Sequence, residues 1–366
     1  TGGGCPHILA EPQRTNLIAY SEKLNSTTNV TSSNTISPDG TLNGLKLNET
    51  TGNFQHYSTS YGGSVVDDGT IYTISFYIKK GTYDSVLIYT QSSRISASIN
   101  ITFSTESTLA SGSNTISGSN FMEDAGNGWY RVGFSATAHS AGEVSLYLSP
   151  KDLSTYAGDI SQYTEYWGIQ IEAGSYPTSY IPNFGTSAGV TRNQDIFTRD
   201  GIGSLINDSE GVLFVEMAAL SDDGTIRSIT LNDSTNTNRV YIGFESFQRI
   251  QFNVKSSGST IFNYYEVVSD ITVNSKLAIK YKANDFSVWL DGVKITSQLS
   301  GVIPIGLNKL SFDDGSSSSP LFGKVKQLQV YNTALTDEQL LQLTGESGTD
   351  FYESYAEMAA ALTYTI

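Results

Sequence analysis

The sequence is short of the residues that carry most enzyme chemistry. Its one cysteine, Cys5, stands between Gly4 and Pro6. No disulfide can close within the chain, and a lone thiol matches no metal or redox motif. Three histidines occur, His7, His56 and His139, none in a His-Glu-x-x-His spacing, so the commonest zinc-hydrolase signature is missing. Basic residues are scarce as well: 21 Lys and Arg face 36 Asp and Glu, a formal net charge of -15. Nucleic acid is thereby excluded as a ligand, since binding a phosphate backbone needs clustered cations. No apolar run approaches the roughly 18 residues of a membrane-spanning helix, and "TGGGCPHILAEPQ" has no basic segment followed by an apolar one. The chain is expected to be soluble, without membrane insertion. It starts on threonine, so it is expected to be a fragment or a processed product.

What the sequence has in quantity is tyrosine, 22 copies, together with 34 glycines and many Ser, Thr and Asn, while charged residues make up only 16%. β-Branched and aromatic residues suit pleated sheets, and Gly, Asn, Ser and Asp suit tight turns. The expected fold class is all-β: two tandem β-sandwiches with a short C-terminal helical tail. At 366 residues, 38% of them hydrophobic, the chain is long enough for more than one core.

Residues 1–200 are read as the first sandwich with its linker. Between 70 and 172, runs such as "TIYTISFYIKKG", "DSVLIYTQ", "GWYRVGFSATA" and "EVSLYLSP" alternate apolar and polar residues, as strands with one buried face do. In "WGIQIE", Trp167, Ile169 and Ile171 are expected to point inward, with Gly168, Gln170 and Glu172 outward. The following "AGSYPTSYIPNFGT" is read as an aromatic closure in which Tyr176, Tyr180 and Pro182 cover the core. Residues 201–346 form a second series, in which "FSVWLDGVKI" places Phe286, Val288 and Leu290 on one face and Ser287, Trp289 and Asp291 on the other. Asp291-Gly292 is a hairpin signal. Thr336 and Gln339 have capping-box spacing before Leu340, Leu341 and Leu343, which predicts a short helix against the sandwich edge. Residues 347–366 repeat the device, with Ser354 and Glu357 before an apolar stretch.

"EPQRTNL" (11–17) and "WGIQIEAGSYPTSYIPNFGT" (167–186), followed by "TRNQD" (191–195), resemble a carbohydrate-binding-module-like jelly roll that recurs in tail fibres and other virion proteins of tailed phages. Residues 210–345, in particular "LAIKYKANDFSVWLDGVKI" and "GKVKQLQVYNTALTDEQLLQL", are similar to concanavalin A-like, laminin-G-like domains, and the ending "FYESYAEMAAALTYTI" looks like tails of phage and prophage proteins. The resemblance implies a virion surface protein, a fibre on the extracellular particle, assembled as a homotrimer with other virion proteins and attaching to host surface polysaccharide. Enzymes among concanavalin A-like proteins carry Glu-x-Asp-x-Glu or its one-residue expansion. Retaining glycoside hydrolysis needs two carboxylates about 5 Å apart. Neither form occurs here, and the expectation is a protein that is not an enzyme.

Sugar recognition rests on aromatic faces with Asn, Asp and Gln beside them. Trp289 with Asp291, then Trp129, then Tyr83 are the candidate carbohydrate contacts, with Tyr57 and Tyr61 more ambiguous. Arg14 or Arg192 is expected to pair with Glu172 or Asp195, bidentately, locking the ends of the first domain; Glu11 is another acid of these motifs. Asp67-Asp68-Gly69, Asp222-Asp223-Gly224 and Asp313-Asp314-Gly315 read as turns. A structural calcium is the one cofactor such carboxylates leave open, with no ligands assigned. The leading function is non-enzymatic adhesion to host glycans. The alternatives are a structural or decoration module of the virion and a glycan depolymerase whose carboxylates come from separate strands or from a subunit interface.

Overall fold

The computed structural model describes residues 7–60, 65–90, 93–246 and 248–345. Cys5, Tyr61 and the tail at 347–366 lie outside them. The fold is all-β, with one short α-helix and a single turn of 3-10 helix at Gly203–Leu205 among the described residues. Two units divide the described residues, one built from 12–194 and the other from 7–11 together with 195–345.

The first unit stacks two six-stranded antiparallel sheets. One, the long sheet, runs in the order Phe121–Gly126, Trp129–Thr137, Ile71–Lys79, Tyr163–Ala173, Gly44–Glu49, Val30–Thr35. The other, the short sheet, runs Ser107–Ser111, Ser98–Thr102, Ser85–Thr90, Leu146–Leu148, Tyr57–Ser60, Leu24–Thr28. Alternate residues of both sheets meet in the core: Ile74, Phe76, Ile78, Val132 and Phe134 from the long sheet, and Val86, Ile88, Ile99, Ile101, Leu146 and Leu148 from the short one.

The strand Tyr163–Ala173 departs from the expected alternation. Gly168 adopts φ 62°, and the register with Ile71–Lys79 shifts between Trp167 and Gln170. This bulge changes the phase. Tyr166, Ile169 and Ile171 enter the core, while Trp167 turns to the opposite face, its ring 4.6 Å from Tyr180 and 5.1 Å from Tyr77. A Cβ on Gly168 would meet the Tyr77 ring at 3.0 Å, so glycine answers both the left-handed backbone and the close packing.

The outward face of that strand is covered by the chain that follows it. Glu172 is buried and accepts from Gln170 Nε2 (2.7 Å), Thr178 N (2.8 Å) and Thr178 Oγ1 (2.7 Å). Gln170 Oε1 accepts from Ile181 N at 2.7 Å. Asn16, also buried, donates to the carbonyls of Ile169 and Ile181. Segment 174–183 therefore closes the outer side of the long sheet, not the core between the sheets.

The second unit again has two six-stranded antiparallel sheets. The first has the order Ile8–Ala10, Gly323–Tyr331, Glu210–Ala219, Ser275–Lys282, Phe286–Leu290, Val293–Gln298; the second, Thr198–Asp200, Lys309–Ser311, Arg227–Asn232, Arg239–Glu245, Arg249–Ser256, Ser259–Val267. Ile8–Ala10, expected with the first sandwich, instead pairs with Gly323–Tyr331 as an edge strand of the second. The Asp291-Gly292 turn has positive φ at both residues, 45° and 81°, the geometry of a two-residue hairpin.

The helix Asp337–Thr344 carries the expected capping box: Thr336 Oγ1 accepts from Gln339 N, and Gln339 Oε1 accepts from Thr336 N at 2.9 Å. Its buried apolar residues are Leu340 and Leu343, whereas Leu341 is 50% exposed. The helix lies over the outer face of the first sheet, in one cluster with Val212, Phe214, Ala278 and Trp289, and reaches the edge strand Val293–Gln298, where Lys294 pairs with Asp337 at 2.8 Å.

Arg227 is fully buried in this unit. Its Nη2 lies 2.7 Å from Asp223 Oδ1, and its Nη1 donates to the Thr225 carbonyl at 3.0 Å. Burial pushes the Asp223 carboxyl up, but the Arg227 charge and hydrogen bonds from Thr225 and Arg227 outweigh it, so the group titrates below its ordinary 3.8. A carboxylate depressed on folding stabilises the fold above its unfolded pKa and loses that contribution as pH falls through the folded one. Asp223→Asn is expected to cost about 3 kcal/mol at pH 7, the low end for breaking a buried pair because Asp223 keeps some water contact. In denaturant titrations, the gap between wild type and variant should narrow as pH falls below the ordinary 3.8 and through the depressed Asp223 value. Equal midpoints at pH 7 would refute the pair's role.

Candidate functional site

The short sheet of the first unit turns one face to the core, and that fixes what its other face carries. Val86 and Ile88 are buried, so Leu87 and Tyr89 point away from the core; Leu146 and Leu148 are buried, so Tyr147 does too. Tyr89 and Tyr147 are direct cross-strand partners, and Tyr147 is in turn opposite Thr59. Cross-strand partners stand about 5 Å apart, so these side chains form one continuous surface. Tyr57, two residues before Thr59, brings its ring to 5.4 Å from that of Tyr147 at 65°. All three tyrosines are half-buried.

Toward the end of this face the chain passes through Lys151, whose carbonyl accepts from Leu87 N at 2.7 Å. The Lys151 ammonium lies 4.7 Å from the Tyr156 ring centre and 5.7 Å from that of Tyr83, a cation–π arrangement. Both tyrosines are held from behind by one buried carboxylate. Tyr156 Oη donates to Glu49 Oε1 at 2.7 Å, Tyr83 bonds the same group, and Asp159 N donates to Glu49 Oε2 at 2.9 Å. Burial, and then the bond to Glu49, pushes both hydroxyls far above the ordinary tyrosine range; they stay protonated and fixed at any ordinary pH. The negative charge of Asp152 acts on Tyr83, Tyr89 and Tyr156 alike.

Five partly exposed tyrosines are thus supported by one sheet and its flanking segment. Their rings offer flat apolar faces, with Thr59, Lys151, Asp152 and Asn100, the cross-strand partner of Leu87, supplying hydrogen-bonding groups around them. This is chemistry for a ligand that has apolar C–H faces and many hydroxyls.

Of the residues singled out in the sequence, Tyr83 and Tyr57 fall within this group. Trp289 does not belong to a binding surface: it is 5% exposed, its indole N–H donates to Ser287 Oγ at 3.3 Å, and the C-terminal helix covers it. Trp129 is likewise buried, with its indole N–H donating to the Ile36 carbonyl at 3.2 Å. Asp291 is a turn residue whose Oδ1 accepts from Lys276 N at 2.7 Å. Alternation identified correctly which side of each strand these residues occupy; distant segments cover that side. Tyr89, Tyr147 and Tyr156 were missed, although "SVLIYT" and "SLYLS" place the first two outward by the same alternation.

Arg14 Nε lies 3.9 Å from Glu172 Oε2, a single contact and not a bidentate one, and the guanidinium also stands 5.3 Å from the Tyr176 ring. Arg192 pairs with Arg14 across two short strands, and its Nη2 donates to the Pro12 carbonyl at 3.3 Å. Asp195 belongs to the second unit, where its Oδ2 accepts from Glu11 N and its own N–H donates to the Glu11 carbonyl, both at 2.9 Å.

The three Asp-Asp-Gly steps are turns. Thr70 N donates to the Asp67 carbonyl, Thr225 N to Asp223 Oδ1, and Gly315 N to Asp313 Oδ1. Among the described residues, no group of three or more His, Cys, Asp or Glu side chains converges as a metal cluster. Residues 185–189 have Gly-x-Ser-x-Gly spacing, but they form a turn with Gly189 N donating to the Thr186 carbonyl, not a strand-to-helix elbow.

No protein-family model matches the sequence, and no curated protein matches it either. Among solved structures, the chain is similar to the CBM40 module of a Ruminococcus gnavus IT-sialidase, at 13% identity and a TM-score of 0.34, over 41% of this chain and 99% of that one. It is similar to the NanB sialidase of Streptococcus pneumoniae at 13% identity and 0.35, over 43% of this chain and 28% of that one. A SAP-like pentraxin of Limulus polyphemus gives 13% identity and 0.30, over 40% and 74%.

Proposed function

We propose that this chain is a non-enzymatic adhesion protein that binds glycans through the tyrosine face of its first unit. The observation that carries the reading is the row Tyr57, Tyr147, Tyr89 on the short sheet, continued by Tyr83 and Tyr156, whose hydroxyls are held by buried Glu49. An open sheet face suits a stretch of polysaccharide better than a single small molecule, because successive sugars can lie on successive rings. With a net charge of -15 and Asp152 beside the rings, the favoured glycan is neutral; an acidic one would be repelled.

The place of action follows from the resemblance carried by "EPQRTNL", "WGIQIEAGSYPTSYIPNFGT" and "TRNQD": a fibre of an extracellular phage particle, assembled as a homotrimer with other virion proteins, attaching to host surface polysaccharide. Each site is expected to be weak, on the order of millimolar. Three copies held together would convert such contacts into firm attachment. The test is retention of the full chain in native gels containing host capsule or neutral polysaccharides, run beside a reducing-sugar assay. Retention without sugar release is the expected result. No retention on any glycan would favour the structural module, and sugar release would favour the depolymerase.

A further inference from the structure

Apart from the open tyrosine face, the first unit has a concavity built from different residues. It is a groove of about 390 Å³ at the side of the sandwich, where Leu24–Thr28 ends the short sheet and Val30–Thr35 ends the long one. Two edge strands meet there without a strand to close the gap. Leu24 and Leu45, both in contact with the core, form its floor. Phe184, 69% exposed, and Leu42, 61% exposed, stand at its rim. Exposing such groups beside an apolar floor is unfavourable unless something covers them.

The polar lining is fixed in advance. Glu22 accepts from Tyr180 Oη at 2.9 Å and from Asn43 Nδ2 at 2.8 Å, one bond to each oxygen. Asn34 Nδ2 donates to the Leu42 carbonyl at 3.3 Å, tying the rim to the wall. Asn43 Oδ1 is left buried without a hydrogen-bond partner, a cost that folded proteins rarely leave unmet. The acceptors open to the groove are the Glu22 carboxylate and the Asn34 amide oxygen, with Asn43 Oδ1 closed off from solvent behind them. Lys23, also in the lining, holds its ammonium 5.0 Å from the centre of the Tyr20 ring.

We infer that this groove is a separate binding site for a single neutral sugar residue, free or at the end or branch of a chain. A pyranose has the matching parts: an apolar face for the leucine floor and Phe184, and hydroxyl donors for the acceptors. The volume lies at the small end of ligand pockets, too small for an extended oligosaccharide. The inference does not depend on the tyrosine face, which is open where the groove is concave.

The test is saturation-transfer NMR on the full chain with D-glucose, D-galactose and N-acetyl-D-glucosamine at millimolar concentration. At least one should show transfer, reduced at least tenfold in Phe184→Ala and in Leu42→Asp. Both residues are largely exposed, so both variants should keep the wild-type circular dichroism. Repeating the measurement in a Tyr89→Ala, Tyr147→Ala background removes transfer through the tyrosine face, and the Phe184- and Leu42-dependent transfer should persist in it. No transfer from any sugar, or transfer in that background that survives both groove variants, would overturn the inference. Transfer lost in that background alone would assign the sugar to the tyrosine face, overturning the groove while leaving the proposed function standing. Phe184-dependent transfer without polysaccharide retention would do the reverse.

Discussion

Replacing Trp289 by alanine is expected to lower the stability of the second unit by about 3 to 5 kcal/mol, the range for truncating a buried aromatic side chain, and to leave glycan retention unchanged. Trp289 stands on Phe286–Leu290 with its ring against Leu340 and Leu343 of the C-terminal helix and beside Val212, Phe214 and Ala278. An eight-residue helix is unstable alone, so it exists because this apolar patch is covered by it. Removing the indole opens a cavity at the contact that holds the helix down. Its neighbours cannot collapse far, because Phe214 and Ala278 are pinned by the sheet on both sides. Trp289→Phe, which keeps most of the buried area but loses the bond to Ser287, should cost less than half as much. Scanning calorimetry of the full chain reads both. An alanine variant that melts like wild type but no longer binds polysaccharide would restore Trp289 as a ligand platform.

The same residue shows where reading the sequence succeeds and where it stops. Alternation in "FSVWLDGVKI" assigned Trp289 correctly to the side away from Phe286 and Val288. It could not say what lies on that side. The cover is the helix after Thr336, some 45 residues on, and the partnership is not a periodic signal. Trp129 fails for the same reason, its cover being the chain at Ile36. In Tyr163–Ala173 the obstacle is different: one left-handed glycine inverts the facing of everything before it, so that Trp167 and Tyr166 exchange places.

Local signals fared better. The capping box at Thr336 and the Asp291-Gly292 hairpin depend on neighbours in sequence, and both form as read. The tyrosine face lies between these cases. Each of its strands is legible, but the sheet order Ser85–Thr90, Leu146–Leu148, Tyr57–Ser60 is not. Only that order brings together tyrosines scattered from 57 to 156.

Tyr89→Ala combined with Tyr147→Ala is expected to abolish polysaccharide retention. The two residues are direct partners at the centre of the row, and a sugar crossing the face must lie on one or both. Each lost stacking contact is expected to weaken binding by about 1 kcal/mol, a value typical of aromatic ring contacts. Together that is a loss of roughly thirtyfold per site, since 1.4 kcal/mol is tenfold. In an assembly whose attachment depends on several sites at once, the losses multiply, so retention should disappear altogether. Stability should change little, because both rings stand half-exposed on the outward face and no core residue is touched. Tyr89→Phe with Tyr147→Phe keeps the rings and removes only the hydroxyls, so it should retain most binding if stacking is the main attraction. If the phenylalanine pair loses as much as the alanine pair, the hydroxyls rather than the faces hold the glycan. If neither pair changes retention, the polysaccharide binds elsewhere on the chain and the tyrosine face is not the adhesive surface.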